Sequence, residues 1–182
     1  CALPISIDGQ AAGFSALGAA LMGTIVTGLF LAIAMTEPGA GSDLASLTTS
    51  AVVDGDDFVV NGQKIWTSGA QYADWLYVLV RTAPDAPKHR GISFMLLPNI
   101  ETPGISIRPL INMGWEHGFN ETFFEDVRIP VENVLGEVNK GFAIANDRLS
   151  RQRIPYAAEC LGVAIKAHEM AVEYSKIRET FG

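Results

Sequence analysis

The sequence predicts an α+β protein in which a β-rich body, closed or sandwich-like, is followed by a long helix. Three observations carry that reading. Between Leu44 and Ile129, short runs of β-branched, aromatic and aliphatic residues alternate with turn signals at close spacing. At Ile129-Pro130 the regime changes, and from Ile154 onward apolar residues recur with a period of about 3.6. The composition, 48% hydrophobic and 18% charged over 182 residues, belongs to a chain that buries a real core.

Taken in order, residues 9–36 carry no formal charge. That length exceeds the roughly 20 residues a membrane helix needs, so a membrane-associated N-terminus is one alternative. Five glycines dilute its apolarity, and no Lys or Arg anchors either end. A buried helix near residues 11–22 and a core strand through Leu29–Ala34 fit better. Strands Thr48–Val53 and Phe58–Asn61 flank an Asp54-Gly55 turn, and Asn61-Gly62 is read as a second turn into Lys64–Thr67; both dipeptides tolerate positive φ. Trp75–Arg81 is a further strand. Thr82–Arg90, with Pro84 and Pro87, reads as an exposed, mobile loop. Strands Ile92–Leu97, Ile105–Leu110 and Glu121–Val127 complete the set.

After the loop Val131–Gly136 the chain is helical. Pro155 should kink the helix or mark a first turn, which would make Phe142–Gln152 a separate piece. Leu161, Ile165, His168 and Val172 share one face, with Glu159, Lys166, Glu169, Glu173 and Lys176 on the other. His168 on the apolar stripe reads as a core or interface histidine.

A net charge of −7 argues against a nucleic-acid partner, which needs a basic face. Arg148, Arg151 and Arg153 form at most a local anion site. Cys1 and Cys160 provide no disulfide framework, and the three histidines are scattered, so a reducing compartment and no metal site are expected. A chain that begins at Cys1 reads as a piece of a longer protein, with a lipidated N-terminus as the other option.

Residues 34–46, Ala-Met-Thr-Glu-Pro-Gly-Ala-Gly-Ser-Asp-Leu-Ala-Ser, are the most informative stretch. Pro38, Gly39 and Gly41 force a turn whose backbone can approach a ligand, and Ser42 adds a hydroxyl among amides suited to phosphate oxygens. Glu37 and Asp43 read as turn-capping carboxylates rather than bases. Lys64-Ile65-Trp66-Thr67-Ser68-Gly69 leaves a strand with an indole and two hydroxyls. This arrangement offers a flat ring face with hydrogen bonds along its edge, or else a core Trp with hydroxyls capping a turn.

The Thr-Glu-Pro-x-Ala-Gly-Ser-Asp order resembles the acyl-CoA dehydrogenases, and so does the Trp66 segment. Phe119–Pro130 is similar to the family's last strand and its exit into the helical domain, and Arg178-Glu179-Thr180-Phe181-Gly182 to its Arg-x-x-Phe-Gly motif. Together these motifs cover about residues 29–182. The resemblance implies an antiparallel β-barrel middle domain over 35–135 and the start of a C-terminal helical bundle over 136–182. Residues 1–34 are left as a residual apolar segment. It implies FAD as cofactor, with Trp66 stacking on the flavin, Ser68 supplying a hydroxyl in place of the commoner Thr, and Thr67 beside it. Met35 and Thr36 would meet the pyrimidine edge, and Ser42 the pyrophosphate and the substrate's pantetheine arm. Arg178 and Phe181 would reach the dinucleotide of a neighbouring subunit, and Arg153 and Ser150 the acyl-CoA. Ser150 stands where relatives have Asp, which weakens that contact.

The implied reaction is α,β-dehydrogenation of an acyl-CoA thioester to trans-2-enoyl-CoA, with an electron-transfer flavoprotein as electron partner. The parent would be a dimer or tetramer in the bacterial cytoplasm or the mitochondrial matrix. Gln152 occupies the slot in which some relatives carry the Glu base, and an amide accepts no proton. The base is therefore expected beyond Gly182, and the isolated fragment is expected to be inactive. Alternatives are a same-fold acyl-CoA oxidase or monooxygenase, or a non-catalytic β module.

Overall fold

A computed structural model describes residues 30–97 and 100–181. The apolar helix expected near 11–22 and most of the uncharged 9–36 segment lie outside the described residues. Among the described residues, no helix is long and apolar enough to cross a membrane.

Among the described residues, seven strands form one mixed sheet: β1 (Leu31–Ala34), β2 (Ser50–Asp54), β3 (Asp57–Lys64), β4 (Trp75–Arg81), β5 (Ile92–Leu97), β6 (Ile105–Ile111) and β7 (His117–Pro130). The order is β1-β4-β2-β3-β7-β6, with β5 on β4, and the sheet curls into a half-barrel. The pairing is antiparallel except along β4, where β1 runs parallel and β2 joins through the single pair Ser50–Arg81. The α+β class with a β body and a following helix therefore stands, with a sheet that is mixed.

Continuous burial of Leu76–Val80 and Ile92–Leu97 explains why β4 and β5 are predominantly apolar without strict alternation: both of their faces are covered. Leu76, Val78, Val80, Met95 and Leu97 face a core with Phe58, Val60, Phe124, Val127 and Ile129. On the other face, Tyr77, Leu79, Ile92, Phe94 and Leu96 pack with Ala40, Leu47, Leu135 and Ala145. The Pro38–Ser46 region is thereby fixed to the outside of the sheet.

Asn61-Gly62 is not a turn. β3 runs through it, and the ladder to β7 steps from Val60–Val127 to Gly62–Phe124, leaving Asn61 opposite Glu125 and Asp126. Asn61 fills the gap reciprocally: its Nδ2 donates to Asp126 Oδ1, and Asp126 N donates to Asn61 Oδ1, both at 2.9 Å. This irregularity bends the paired strands, as bulges do. Gly62 has φ +148°, and a Cβ there would lie 2.7 Å from the Thr49 Cα, so no side chain fits. Lys64–Thr67 is likewise no separate strand, since β3 ends at Lys64.

Thr82–Arg90 is largely exposed, as expected, and is tied to its surroundings by hydrogen bonds. Arg81 Nη1 donates to the Lys88 and Arg90 carbonyls at 3.1 and 3.2 Å, and its Nη2 to those of Ala45 and Leu47 at 2.6 and 3.3 Å. Lys88 pairs with Asp43.

The chain divides into two compact units, 1–145 and 146–182. Helix α1 (Gly141–Ile177) begins in the first, where a Cβ on Gly141 would sit 2.3 Å from Phe94 N. Pro155 lies inside this one helix and starts no second piece. Its ring already holds a helical φ, so the penalty lies in the hydrogen bond its missing N–H cannot make and in the crowding of its ring against the carbonyl one turn back. In the second unit Leu161, Ile165 and Val172 are exposed, and His168 is exposed rather than core. The apolar stripe has no second helix among the described residues to bury it.

Candidate functional site

The Glu37–Ala40 turn is closed by two reciprocal backbone bonds of 3.1 Å, which lifts Pro38 and Gly39 into solvent. Beyond it, Gly41, Ser42 and Asp43 are exposed. Among the described residues, the Gly41 and Ser42 amides and the Ser42 hydroxyl donate to no protein group, so they are free for an acceptor. Asp43 instead accepts from Ser46 Oγ at 2.5 Å and pairs with Lys88, which holds its carboxyl below the usual range.

Glu37 is 5% exposed and anchors this turn. Its Oε2 accepts from Thr48 N at 2.7 Å and Thr48 Oγ1 at 2.8 Å, and its Oε1 from Thr49 N and Lys64 Nζ at 2.8 Å each. The backbone-capping role is therefore real, but its charge partner was not read from sequence. Lys64 is fully buried and also donates to the Met35 carbonyl at 3.1 Å. Burial alone would raise the Glu37 carboxyl; the Lys64 charge and hydrogen bond, with those from Thr49 and Thr48, bring it to about 2. Burial pushes Lys64 down to about 8 despite Glu37 beside it.

The same clamp joins the turn to the indole segment. Ile65 N donates to Thr36 O at 2.8 Å, while Thr67 N donates to Asn120 O on β7 at 3.0 Å. Amides two apart in an extended strand face the same neighbour; the positive φ of Trp66 (59°) sends these two to different partners. A bulky residue in that conformation is unfavourable, and such strain gathers at ligand sites. Trp66 is 56% exposed, with Phe119 edge-on at 5.7 Å between ring centroids. Ser68 is exposed and Met35 and Thr36 are half-buried, and among the described residues neither the Thr36 nor the Ser68 hydroxyl is engaged. Thr67 differs from its neighbours: it is fully buried, and its hydroxyl accepts from Thr122 at 3.3 Å.

The Ile65–Thr36 bond thus ties the Met35–Thr36 end of the turn to the segment that carries the exposed Trp66 ring and Ser68, with the Thr36 and Ser68 hydroxyls unengaged among the described residues. That donor set fits a planar heteroaromatic ring with polar edges, as a flavin has. Ser150, Arg153, Arg178 and Phe181 belong to the second unit. All four are exposed; the Arg178 guanidinium lies 5.8 Å from the Tyr174 ring centroid, and Phe181 is fully exposed. Among the described residues no group of His, Cys, Asp and Glu could hold a metal.

Residues 32–127 match the family model described as the acyl-CoA dehydrogenase middle domain, and residues 139–182 the one described as its C-terminal domain. Acyl-CoA dehydrogenase FadE29 of Mycobacterium tuberculosis is 45% identical over 123 residues, 68% of this chain and 32% of that protein. Cyclohexane-1-carbonyl-CoA dehydrogenase of Syntrophus aciditrophicus is 39% identical over 150 residues, 81% of this chain and 38% of that protein. A crystal structure of an acyl-CoA dehydrogenase from Geobacillus kaustophilus superposes with a TM-score of 0.82 at 38% identity, covering 96% of this chain and 46% of that one. The fold is that of the acyl-CoA dehydrogenase middle domain followed by the start of its C-terminal helical domain. The chain belongs to the acyl-CoA dehydrogenase family. It spans less than half the length of the relatives it matches.

Proposed function

We propose that the protein carrying this chain oxidises an acyl-CoA thioester to its trans-2-enoyl-CoA with FAD as cofactor. The observation that supports this reading above the others is the convergence of the Met35–Thr36 turn and the strained, exposed Trp66 through the Ile65–Thr36 bond. When bound, the flavin supplies the acceptor for the hydride leaving the acyl chain. In this reading residues 35–135 are the flavin-contacting domain and 136–182 open the helical one. Trp66 covers one ring face, Ser68 and Thr36 offer hydroxyls at its edge, and the Thr67 main chain holds the segment while its side chain stays inside. The Gly41 and Ser42 amides and the Ser42 hydroxyl address phosphate oxygens. Arg178, Phe181, Arg153 and Ser150 meet the dinucleotide and the thioester in the assembled oligomer, where an electron-transfer flavoprotein receives the electrons. Bacterial relatives support a cytoplasmic setting.

No catalytic base is assigned among the described residues. Glu37 is ion-paired and too acidic to take a proton near neutrality, and Gln152 is an amide. Trp66→Ala in the full-length protein tests the assignment. Bound flavin should fall about tenfold, the scale of one aromatic stacking contact of about 1.4 kcal/mol. Unchanged flavin content would reject the stacking role. Turnover with a dye acceptor but not with oxygen separates a dehydrogenase from an oxidase of the same fold.

A further inference from the structure

Asn120 is fully buried on β7, directly after the Phe119 ring that backs Trp66. Its main-chain carbonyl accepts Thr67 N at 3.0 Å, and its side-chain Nδ2 donates to Thr67 O, also at 3.0 Å. One residue therefore holds both main-chain polar groups of the residue that follows Trp66. Nδ2 also donates to Gln71 Oε1 at 2.6 Å. With both of its donor positions spent, the amide can only accept at Oδ1, so His117 Nε2, 2.8 Å away, carries the proton. A flipped amide would set its oxygen against the Thr67 carbonyl oxygen, acceptor against acceptor, so that contact admits one orientation.

The positive φ at Trp66 needs such a hold. Relaxation to an extended conformation would swing the Thr67 amide away from β7 and take the indole with it. On the upstream side Ile65 N is tied to Thr36 O; on the downstream side the tie is Asn120. We infer that Asn120 is a positioning residue that fixes the Trp66 ring face, and the Ser68 hydroxyl after it, for the bound cofactor. This inference rests on the flavin reading above and adds to it a residue that touches no ligand.

The test is a mutant cycle in the full-length protein with FAD titration as the readout. Asn120→Asp keeps the shape but removes the donors to Thr67 O and Gln71. It should weaken FAD binding about tenfold, on the scale of one or two net hydrogen bonds. In a Trp66→Ala background the same change should alter binding less than twofold, because there is no ring left to aim. A general loss of packing would not vanish in that background. An Asn120→Asp protein that folds and binds FAD within twofold of the parent overturns the inference, as does full additivity with Trp66→Ala. Should Asn120→Asp fail to fold, Gln71→Met removes only the outer partner: about threefold weaker binding supports the inference, and unchanged binding overturns it. If Trp66→Ala itself leaves FAD binding intact, the stacking assignment fails; if only the Asn120 and Gln71 variants are silent, that assignment survives and the role of Asn120 does not.

Discussion

Glu37→Gln is the substitution with the clearest expected consequence. It leaves the fully buried Lys64 ammonium without its counter-charge and turns an amide NH2 toward one set of donors, either those of Thr48 or those of Thr49 and Lys64, from which the carboxylate accepts. Breaking a buried pair from one side costs about 3–5 kcal/mol. The pH dependence gives a second route to the size. Glu37 falls from an ordinary 4.5 to about 2 in the folded chain, worth about 3 kcal/mol at neutral pH. Because the folded value lies below the unfolded one, that contribution is complete above pH 4.5 and is lost as pH falls from 4.5 toward 2. Urea denaturation followed by tryptophan emission at a series of pH values should show a gap between parent and variant of about 3 kcal/mol at pH 7, narrowing below 4.5. Replacing both partners, Glu37→Gln with Lys64→Met, should recover part of the loss, since no charge is then left buried. A gap below about 1 kcal/mol at pH 7, or a double variant weaker than Glu37→Gln alone, would refute the reasoning.

Two further substitutions probe the frame around the site. Gly62→Ala places a Cβ against the Thr49 backbone and should destabilise by about 1–3 kcal/mol, seen as a lowered melting temperature. Arg81→Met removes the donors to four carbonyls; stability should fall by about 2 kcal/mol, and trypsin should cut faster after Lys88 and Arg90 in the released loop.

The elements most legible in the sequence are those set by one dominant force. β4 and β5 match their expected ends because both faces are buried, so apolar residues dominate them, with Arg81 at the end of β4 and Ser93 within β5 as the polar exceptions. The Asp54-Gly55 turn is equally direct, since Asp54 pairs with Asp57 across a two-residue loop. Asn61-Gly62 misled because the same dipeptide serves a hairpin and a bulge, and only the β7 partner decides between them. In the site, Trp66 and the Glu37 turn were visible as unusual residue types in sequence. Lys64 was not: a lysine at a strand end reads as solvated, and its burial follows from a carboxylate 27 positions away. Asn120 and the carbonyls around Arg81 escaped for the same reason, their partners being remote in the chain. An acidic residue with no evident surface role in a turn, facing a strand-end lysine, is the signal that could have found the pair.

The change of hydrogen-bonding neighbour across Trp66 also governs how the gene can drift. Adding or removing one residue between Ile65 and Thr67 would exchange the flanks toward which those amides donate, and neither Thr36 nor Asn120 could follow. The β6–β7 hairpin end is the opposite case: it is closed by its own Asn112, which accepts from Gly114 N and Glu116 N. Length polymorphism among natural variants should therefore collect at 112–116 and be absent at 65–67, and libraries of insertions would retain bound cofactor in the first window and lose it in the second.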